Sequence, residues 1–452
     1  MIGNHPVAGR QRKLSPQAAG IRGGSAVKET SFRASIASAP VGRRTLLKGA
    51  AATALLAGVG MPAIVHAQSD EIIFGHLTPL TGFLGPLGAY GQMGVQLAVE
   101  EINAAGGING RKVKLIMEDS VNPATASSKA QRYIERDKAA VIIGEISSAS
   151  ALAISQVTAR NKVVFVNTGG NSDALRGKDC NRFMFHVEGA NTQYVKAVGA
   201  AMLRDGLIKG KKLFFLTADY AFGHDLSRVG KRYVEANGGQ VIADELVPTD
   251  ATDFSGYLLK VRQARPDVVI SNLAGNQITN FIKQYAEFGL QYPYGGFGFD
   301  TAVAWGAGKG TFGGIWPLIW HHDVPAASSK AFVAAFVKKF GKPPENQAWG
   351  DYVATKAVAR AMTETKSTAG TDLITFFEKE PELDILKERK GYFRDWDHQL
   401  IQEMYTVTAA PAADVKEVWD IMKLGKAVPG PDTALSAIAP TPEENACTFP
   451  PT

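Results

Sequence analysis

The chain has little of what marks most functional classes. Cysteine is nearly absent: its 452 residues hold two, Cys180 and Cys447. No cysteine or histidine spacing suits a zinc site. The densest group of ligand types is His321-His322-Asp323. It reads as part of a strand, whose successive side chains face opposite ways, and this argues against shared metal binding. Neither a metal nor a cofactor is expected. Catalytic signatures are missing as well, with no Gly-x-Ser-x-Gly elbow and no carboxylate pair placed for glycoside chemistry. The glycines at 85, 88 and 91 miss the dinucleotide spacing. Gly306-Ala307-Gly308-Lys309-Gly310-Thr311 misses the phosphate-binding loop, because Gly310 follows the lysine and Val303 stands where the first glycine belongs. The uncharged stretch from Gly49 to Val65 is rich in alanine and glycine and broken by Pro62, so it makes a poor membrane span. Charge of one sign is missing too. The formal net charge is +6, but residues 1–67 hold nine Lys/Arg and one acid, leaving 40 bases against 42 acids in the rest. Nothing there offers the basic stripe that nucleic acid requires.

What is present begins with an export signal. Gly42-Arg43-Arg44-Thr45-Leu46-Leu47-Lys48, the apolar stretch and the small-x-small end Val65-His66-Ala67 are the parts of a cleavable twin-arginine leader. Residues 1–42 are polar, basic and without periodicity, and read as disordered. Cleavage near Ala67 puts the mature chain in the periplasm by way of the Tat export machinery. No cysteine follows the cut to carry a lipid. In that oxidising compartment a distant pair such as Cys180 and Cys447 reads as one disulfide, with two free buried thiols as the alternative.

The mature sequence alternates short apolar runs with amphipathic stretches. Strands are expected at 72–77, 112–118, 139–146 and 163–167, with helices at 91–105, 122–136 and 149–160 between them. A second set follows the same plan, with helices at 192–205, 224–237, 254–263 and 277–288 and strands at 212–217, 240–246 and 267–272. In both sets a Gly-Gly pair, 106–107 and 238–239, stops a helix just before the second strand. Helices return at 328–340, 349–363 and 373–379, a late strand at 401–408, and a proline-rich tail from Val428. Such alternation implies an α/β fold of two doubly wound parallel-sheet lobes. The expected division is a leader at 1–67, one lobe of 68–190 plus about 322–395, another of 191–321 plus about 396–427, and the tail at 428–452.

In open α/β sheets ligands bind beyond the carboxyl ends of the strands. The first such loop offers glycines and Tyr90. The third strand is followed by Ser147-Ser148-Ala149-Ser150 at a helix start. Serines there cap the helix, and the same geometry presents hydroxyls and free N–H groups to an anion. Asn167-Thr168-Gly169-Gly170-Asn171-Ser172 forms the next small polar loop. The second set supplies Ala218-Asp219-Tyr220-Ala221-Phe222-Gly223, then Asn272, then Phe297-Gly298-Phe299-Asp300-Thr301. Asp300 can receive an ammonium or simply cap the next segment.

Several runs together resemble the solute-binding proteins of branched-chain amino-acid ABC transporters, which have the type I periplasmic binding fold. They are Leu80-Thr81-Gly82 with Gly88-Ala89-Tyr90-Gly91, Ala98 to Gly110, Ile143-Gly144-Glu145-Ile146-Ser147-Ser148 and Asp219-Tyr220-Ala221-Phe222-Gly223. The resemblance extends to about residue 425, and the run Glu101-Ile102-Asn103-Ala104-Ala105-Gly106-Gly107-Ile108-Asn109-Gly110 is its most specific part. It implies two lobes joined by a multi-strand hinge, no enzymatic activity, and delivery of a small-molecule carboxylate to an ABC permease of the inner membrane by a monomer. The ligand implied is a branched-chain or hydrophobic amino acid or an aromatic acid. It also implies ligand contacts. Ser147 and Ser148 would meet the carboxylate with help from Gly169 and Asn171, and Asp300 would hold an α-ammonium. Tyr90, Tyr220, Phe222 and Asn272 would line the cleft. The rival expectation is an exported hydrolase of a small amide or ester with Ser147 as nucleophile. That needs a nearby histidine base, and His76, which precedes the first loop, is the sole candidate.

Overall fold

The computed structural model describes residues 71–449. The leader, its cleavage point near Ala67 and the expected disorder of 1–42 lie outside those residues. Among the described residues no helix is long and apolar enough to cross a membrane.

Five parallel strands form the first sheet: β1 (Ile72–Thr78), β2 (Val113–Asp119), β3 (Val141–Gly144), β4 (Val164–Asn167) and β5 (Met184–His186), in the order β2-β1-β3-β4-β5. Helices α1 (Gly85–Ala104), α2 (Pro123–Glu135) and α3 (Ser148–Arg160) connect the first four. Every residue of β3 and β4 is buried, as expected where helices cover both faces of a parallel sheet. Removing a Val or Ile side chain from water contributes about 1.5–3 kcal/mol, so the apolar runs themselves drive this layering.

After α4 (Asn191–Arg204) the plan repeats with β6 (Lys212–Ala218), α5 (Ala221–Ala236), β7 (Gln240–Val247), α6 (Ser255–Ala264), β8 (Val268–Asn272), α7 (Asn276–Glu287), β9 (Tyr294–Gly296), α8 (Thr301–Ala307) and β10 (Ile315–Leu318). The chain then returns to the first lobe as α9 (Ala327–Phe340), α10 (Asn346–Thr365) and α11 (Gly370–Phe377). A small hairpin, β11 (Tyr392–Phe393) with β12 (Leu400–Ile401), precedes β13 (Tyr405–Ala409) and β14 (Met422–Leu424). The second sheet runs β14-β13-β10-β9-β8-β6-β7, with β13 and β14 antiparallel. The chain therefore crosses between the sheets three times: from β5 to α4, from β10 to α9, and from β12 to β13.

Three expectations are corrected here. Helix α1 starts at Gly85 rather than Gly91, with a proline in its first turn. Its glycines serve close packing: a Cβ on Gly94 would lie 2.1 Å from the carbonyl oxygen of Ala348 on α10. Tyr90 is therefore a helical residue, not a loop residue. The late strand divides into β12 and β13, which belong to different sheets. And His321-His322 lies beyond the end of β10, so the alternation of a strand does not apply to it. The imidazoles stack on each other, with centroids 4.1 Å apart at 28°.

Cys180 and Cys447 are bonded to each other. The tail beyond β14 is ordered over the described residues. Lys196 on α4 pairs with Glu444 at 2.6 Å, and Asn445 donates to the carbonyl of Asp173 at 2.8 Å.

Candidate functional site

The carboxyl ends of the two sheets face each other, and the loops beyond them enclose a cavity. The first lobe contributes Leu84, Ile146, Gly169 and Asn171. From the second come Tyr220 and Phe222 at the start of α5, Leu273 and Ala274 after β8, Ile278 on α7, and Gly298, Phe299 and Asp300 after β9. Tyr194, in the first turn of α4, completes the wall. The cavity volume is about 20 Å³. That is a closed cleft, with room for roughly one ordered water.

Contacts across the cleft explain the closure. The amide of Asn276 donates to the carbonyl of Phe83 at 2.9 Å, and the Phe83 ring meets Tyr220 edge-on at 5.4 Å. Asn346 on α10 donates to Asp300 at 2.6 Å, and Gln347 does so at 3.3 Å. On the hinge side the amide of Asp173 donates to Asp225 of α5 at 2.7 Å.

The electrostatics are one-sided. No lysine or arginine lines the cavity. Asp300 keeps accessible surface because it faces the cavity, yet protein surrounds it. Desolvation raises its carboxyl, against the two amide hydrogen bonds. Behind Tyr194 lies Glu188, buried, accepting the tyrosine hydroxyl at 2.6 Å. Burial pushes Glu188 up to about 7, the hydroxyl opposes this, and Asp300 adds to it. Burial and then Asp300 also raise Glu345 well above the ordinary carboxyl range. On the first lobe Glu145 sits at the end of β3 with φ of 72°, a left-handed conformation that costs a non-glycine residue energy. Its carboxylate accepts the amides of Ile146 at 3.0 Å and Ser147 at 2.8 Å, and burial pushes it up to about 7.

Of the residues expected in the site, Gly169, Asn171, Tyr220, Phe222 and Asp300 come together around the cavity. Gly169 is required by crowding: a Cβ there would lie 2.8 Å from Oε1 of Gln347 and 2.9 Å from Cα of Ile146. Ser147 follows Ile146 at the cavity edge, and its Oγ caps α3 by accepting the amide of Ser150 at 3.4 Å. Ser148 is buried and ties two loops together, its Oγ accepting the amide of Ser172 at 3.2 Å. Asn272 is buried at the end of β8 and donates to Thr217 at 3.4 Å. Tyr90 lies away from the cavity, under the Lys342 ammonium at 4.0 Å and 6.0 Å from the Trp305 ring. Phe83 and Leu84 take the place expected for it.

Sequence reasoning named the loop that carries Phe299 without singling out that ring, and it missed Tyr194 and the apolar wall of Leu84, Ile146, Leu273, Ala274 and Ile278. It also missed Arg176, fully buried behind the second loop, which donates to the carbonyls of Gly170 and Ser172 at 3.1 Å each and of Glu188 at 2.7 Å. Burial pushes its guanidinium down to about 10, with Asp173 opposing. No local signal distinguishes an arginine that supports a loop from one on the surface.

The family model described as periplasmic binding protein matches residues 71–414. The chain is 28% identical over 322 residues to the Leu/Ile/Val-binding protein homolog 8 of Brucella abortus (strain 2308), covering 68% of this chain and 79% of that one. A periplasmic binding protein of Burkholderia mallei superposes with a TM-score of 0.77 at 27% identity, covering 84% of this chain and 99% of the other. A solute-binding protein of an ABC transporter from R. palustris, solved with benzoate, gives a TM-score of 0.72 at 22% identity, covering 84% and 100%. These relatives are binding proteins rather than enzymes, which sets the hydrolase expectation aside.

Proposed function

The chain belongs to the periplasmic binding protein family, and from that premise we propose that it captures a hydrophobic amino acid in the cleft for an ABC importer. The observation that carries this reading is Asp300, a carboxylate facing an aromatic-walled cavity with no cationic side chain. Such a site compensates an ammonium and disfavours a ligand whose only charge is negative. Tyr194, Tyr220, Phe222 and Phe299 supply flat apolar surface for the side chain. The ligand carboxylate lies toward the start of α3, where the helix dipole favours an anion. Ser147 can serve both cap and ligand: the cap uses an oxygen lone pair, and the O–H remains to donate. Ser148, Gly169 and Asn171 hold the loops that frame this end, while Tyr90 and Asn272 support the lobes from outside the cavity.

Binding follows hinge bending. An open form admits the ligand, and contacts from both lobes stabilise closure. The protein acts as a monomer in the periplasm, reached through the Tat machinery with the leader removed near Ala67, and delivers its ligand to a permease in the inner membrane. Its lobes divide near 190 and 321, at the first two crossings, and between β12 and β13 at the third, a few residues beyond the expected 396.

A second reading is an aromatic acid without an amine. It is favoured by the Asn346 and Gln347 amides, which already satisfy Asp300 without an ammonium, and by the benzoate bound in the R. palustris relative. Calorimetric titration of leucine, phenylalanine and benzoate against the parent and Asp300→Asn separates the two. An amino-acid ligand loses about 3–5 kcal/mol of binding when its buried counter-charge goes. Benzoate binding that survives the change, with no amino acid bound by the parent, rejects the amino-acid reading.

A further inference from the structure

We propose that His321, His322 and Asp323 form a binding site for a divalent transition ion of the zinc type, in the segment where the chain passes from β10 to α9. The two imidazoles stack face to face at 4.1 Å, so both rings project to one side of the segment. The Asp323 carboxylate reaches both. One oxygen lies 3.4 Å from Nδ1 of His321 and the other 3.7 Å from Nε2 of His322. One ligand atom of each residue lies within 4.8 Å of those of the other two. A tetrahedral ion with bonds of about 2.0–2.2 Å sets its ligand atoms roughly 3.3–3.6 Å apart. The ligand atoms are near enough to share an ion once the stacked rings turn so that their in-plane lone pairs converge on it.

The three side chains have few competing obligations. Nε2 of His321 and Nδ1 of His322, the ring nitrogens other than those nearest Asp323, have no hydrogen-bond partner among the described residues, so no partner there fixes either ring. Nδ1 of His321 accepts the Asp323 amide at 3.2 Å, a long bond that an ion would replace. The carboxylate contacts are longer than good hydrogen bonds. The side chain of His321 is fully buried, that of His322 is 12% exposed and that of Asp323 is 60% exposed. Solvent thus reaches the group from the carboxylate side, where an ion can enter and where a water can fill the fourth position. Two imidazoles and one carboxylate suit Zn²⁺, Ni²⁺ or Cu²⁺ better than Mg²⁺ or Ca²⁺, which prefer all-oxygen shells.

The test uses the exported protein purified without a histidine tag. ZnCl₂ is titrated by calorimetry, and CoCl₂ is followed by visible absorption. The expected result is saturable binding of one equivalent, with cobalt bands of the intensity typical of four-coordination. His322→Ala and Asp323→Ala should each weaken binding by at least about tenfold. His224→Ala should leave it unchanged, since this histidine lies on α5 beside Asp219, away from the group. Circular dichroism and an undiminished amino-acid or benzoate titration confirm that each variant is folded. Absence of a saturable equivalent in the parent, or equal affinity in the parent and folded His322→Ala, overturns the proposal.

Discussion

Removing the bridge between Cys180 and Cys447, by Cys180→Ser with Cys447→Ser, isolates what the tail contributes. The two residues are 267 positions apart, and the chain-entropy treatment gives roughly 5–6 kcal/mol for so long a loop. With unfolding entropy of about 2.1 cal/mol/K per residue over the described residues, that corresponds to a fall in melting temperature of about 7 °C. The structure makes this a ceiling. The tail is held by separate, partly exposed contacts: Lys196 donates to the Ala439 carbonyl at 3.2 Å and pairs with Glu444, Arg394 donates to the Pro440 carbonyl at 2.9 Å, and Phe449 meets the His398 ring at 4.6 Å. Each such hydrogen bond contributes about 0.5–1.5 kcal/mol. Without the bridge the tail can detach while both sheets stay folded, so the native state relaxes and the loss shrinks. The expected fall is about 2–5 °C. Trypsin supplies an independent readout, because Lys426 is the last basic residue of the chain. In the bridged protein a cut there leaves residues 427–452 covalently attached; in the variant the peptide is released. A fall well beyond the ceiling would mean that the bridge supports the lobes themselves. An unchanged melting temperature with an equally resistant tail would mean that its non-covalent contacts suffice. Either result refutes the reasoning.

The buried acids predict a pH dependence. Burial pushes Glu188 up to about 7. Between about pH 4.5 and 7 the unfolded chain therefore gives up a proton that the folded chain keeps, and the residue's stabilisation, up to about 3 kcal/mol, is lost as pH rises. His186, buried and held well below its usual range, pulls the opposite way below about pH 6.5, so the measurement compares Glu188→Gln with the parent. Urea midpoints at pH 5 and 8 should show the variant losing less stability on going to pH 8, and parallel pH profiles would contradict this. Ser147→Ala should lower ligand affinity by about 1.5–3 kcal/mol if its hydroxyl donates to a charged carboxylate, in addition to about 1 kcal/mol of helix-cap stability. Unchanged affinity by calorimetry in a folded variant would remove Ser147 from the site.

The periodicity of the chain carried most of the fold. Buried runs such as Val141-Ile142-Ile143 and Val268-Val269-Ile270 read as covered parallel strands because strand burial is a local property of consecutive residues. Short strands were less legible. β5 and β9 have three residues each, too few to show a period. The start of α1 was masked by Gly85 and Gly88, which favour a loop when considered alone and which pack against the carbonyls of Leu80 and Pro79, while Gly91 and Gly94 let α10 approach closely.

For the site, the sequence by itself determined which loops lie at the carboxyl ends of the strands, because strand order along the chain and right-handed crossovers leave little freedom. It also determined that two cysteines were available to pair. Tertiary structure decided which side chain in each loop faces the cavity. Leu84 and Phe83 displaced Tyr90 because six more residues joined α1, and Ser148 turned inward to Ser172 while its neighbour Ile146 lines the wall. Tyr194, Glu188 and Arg176 belong to the hinge and its supports, and their roles exist only once three crossings bring the two lobes together. The physical reason is range. Burial along a strand depends on residues two apart, whereas a cleft is made by groups distant in the chain, such as Leu84 and Asp300, that meet when both sheets have folded.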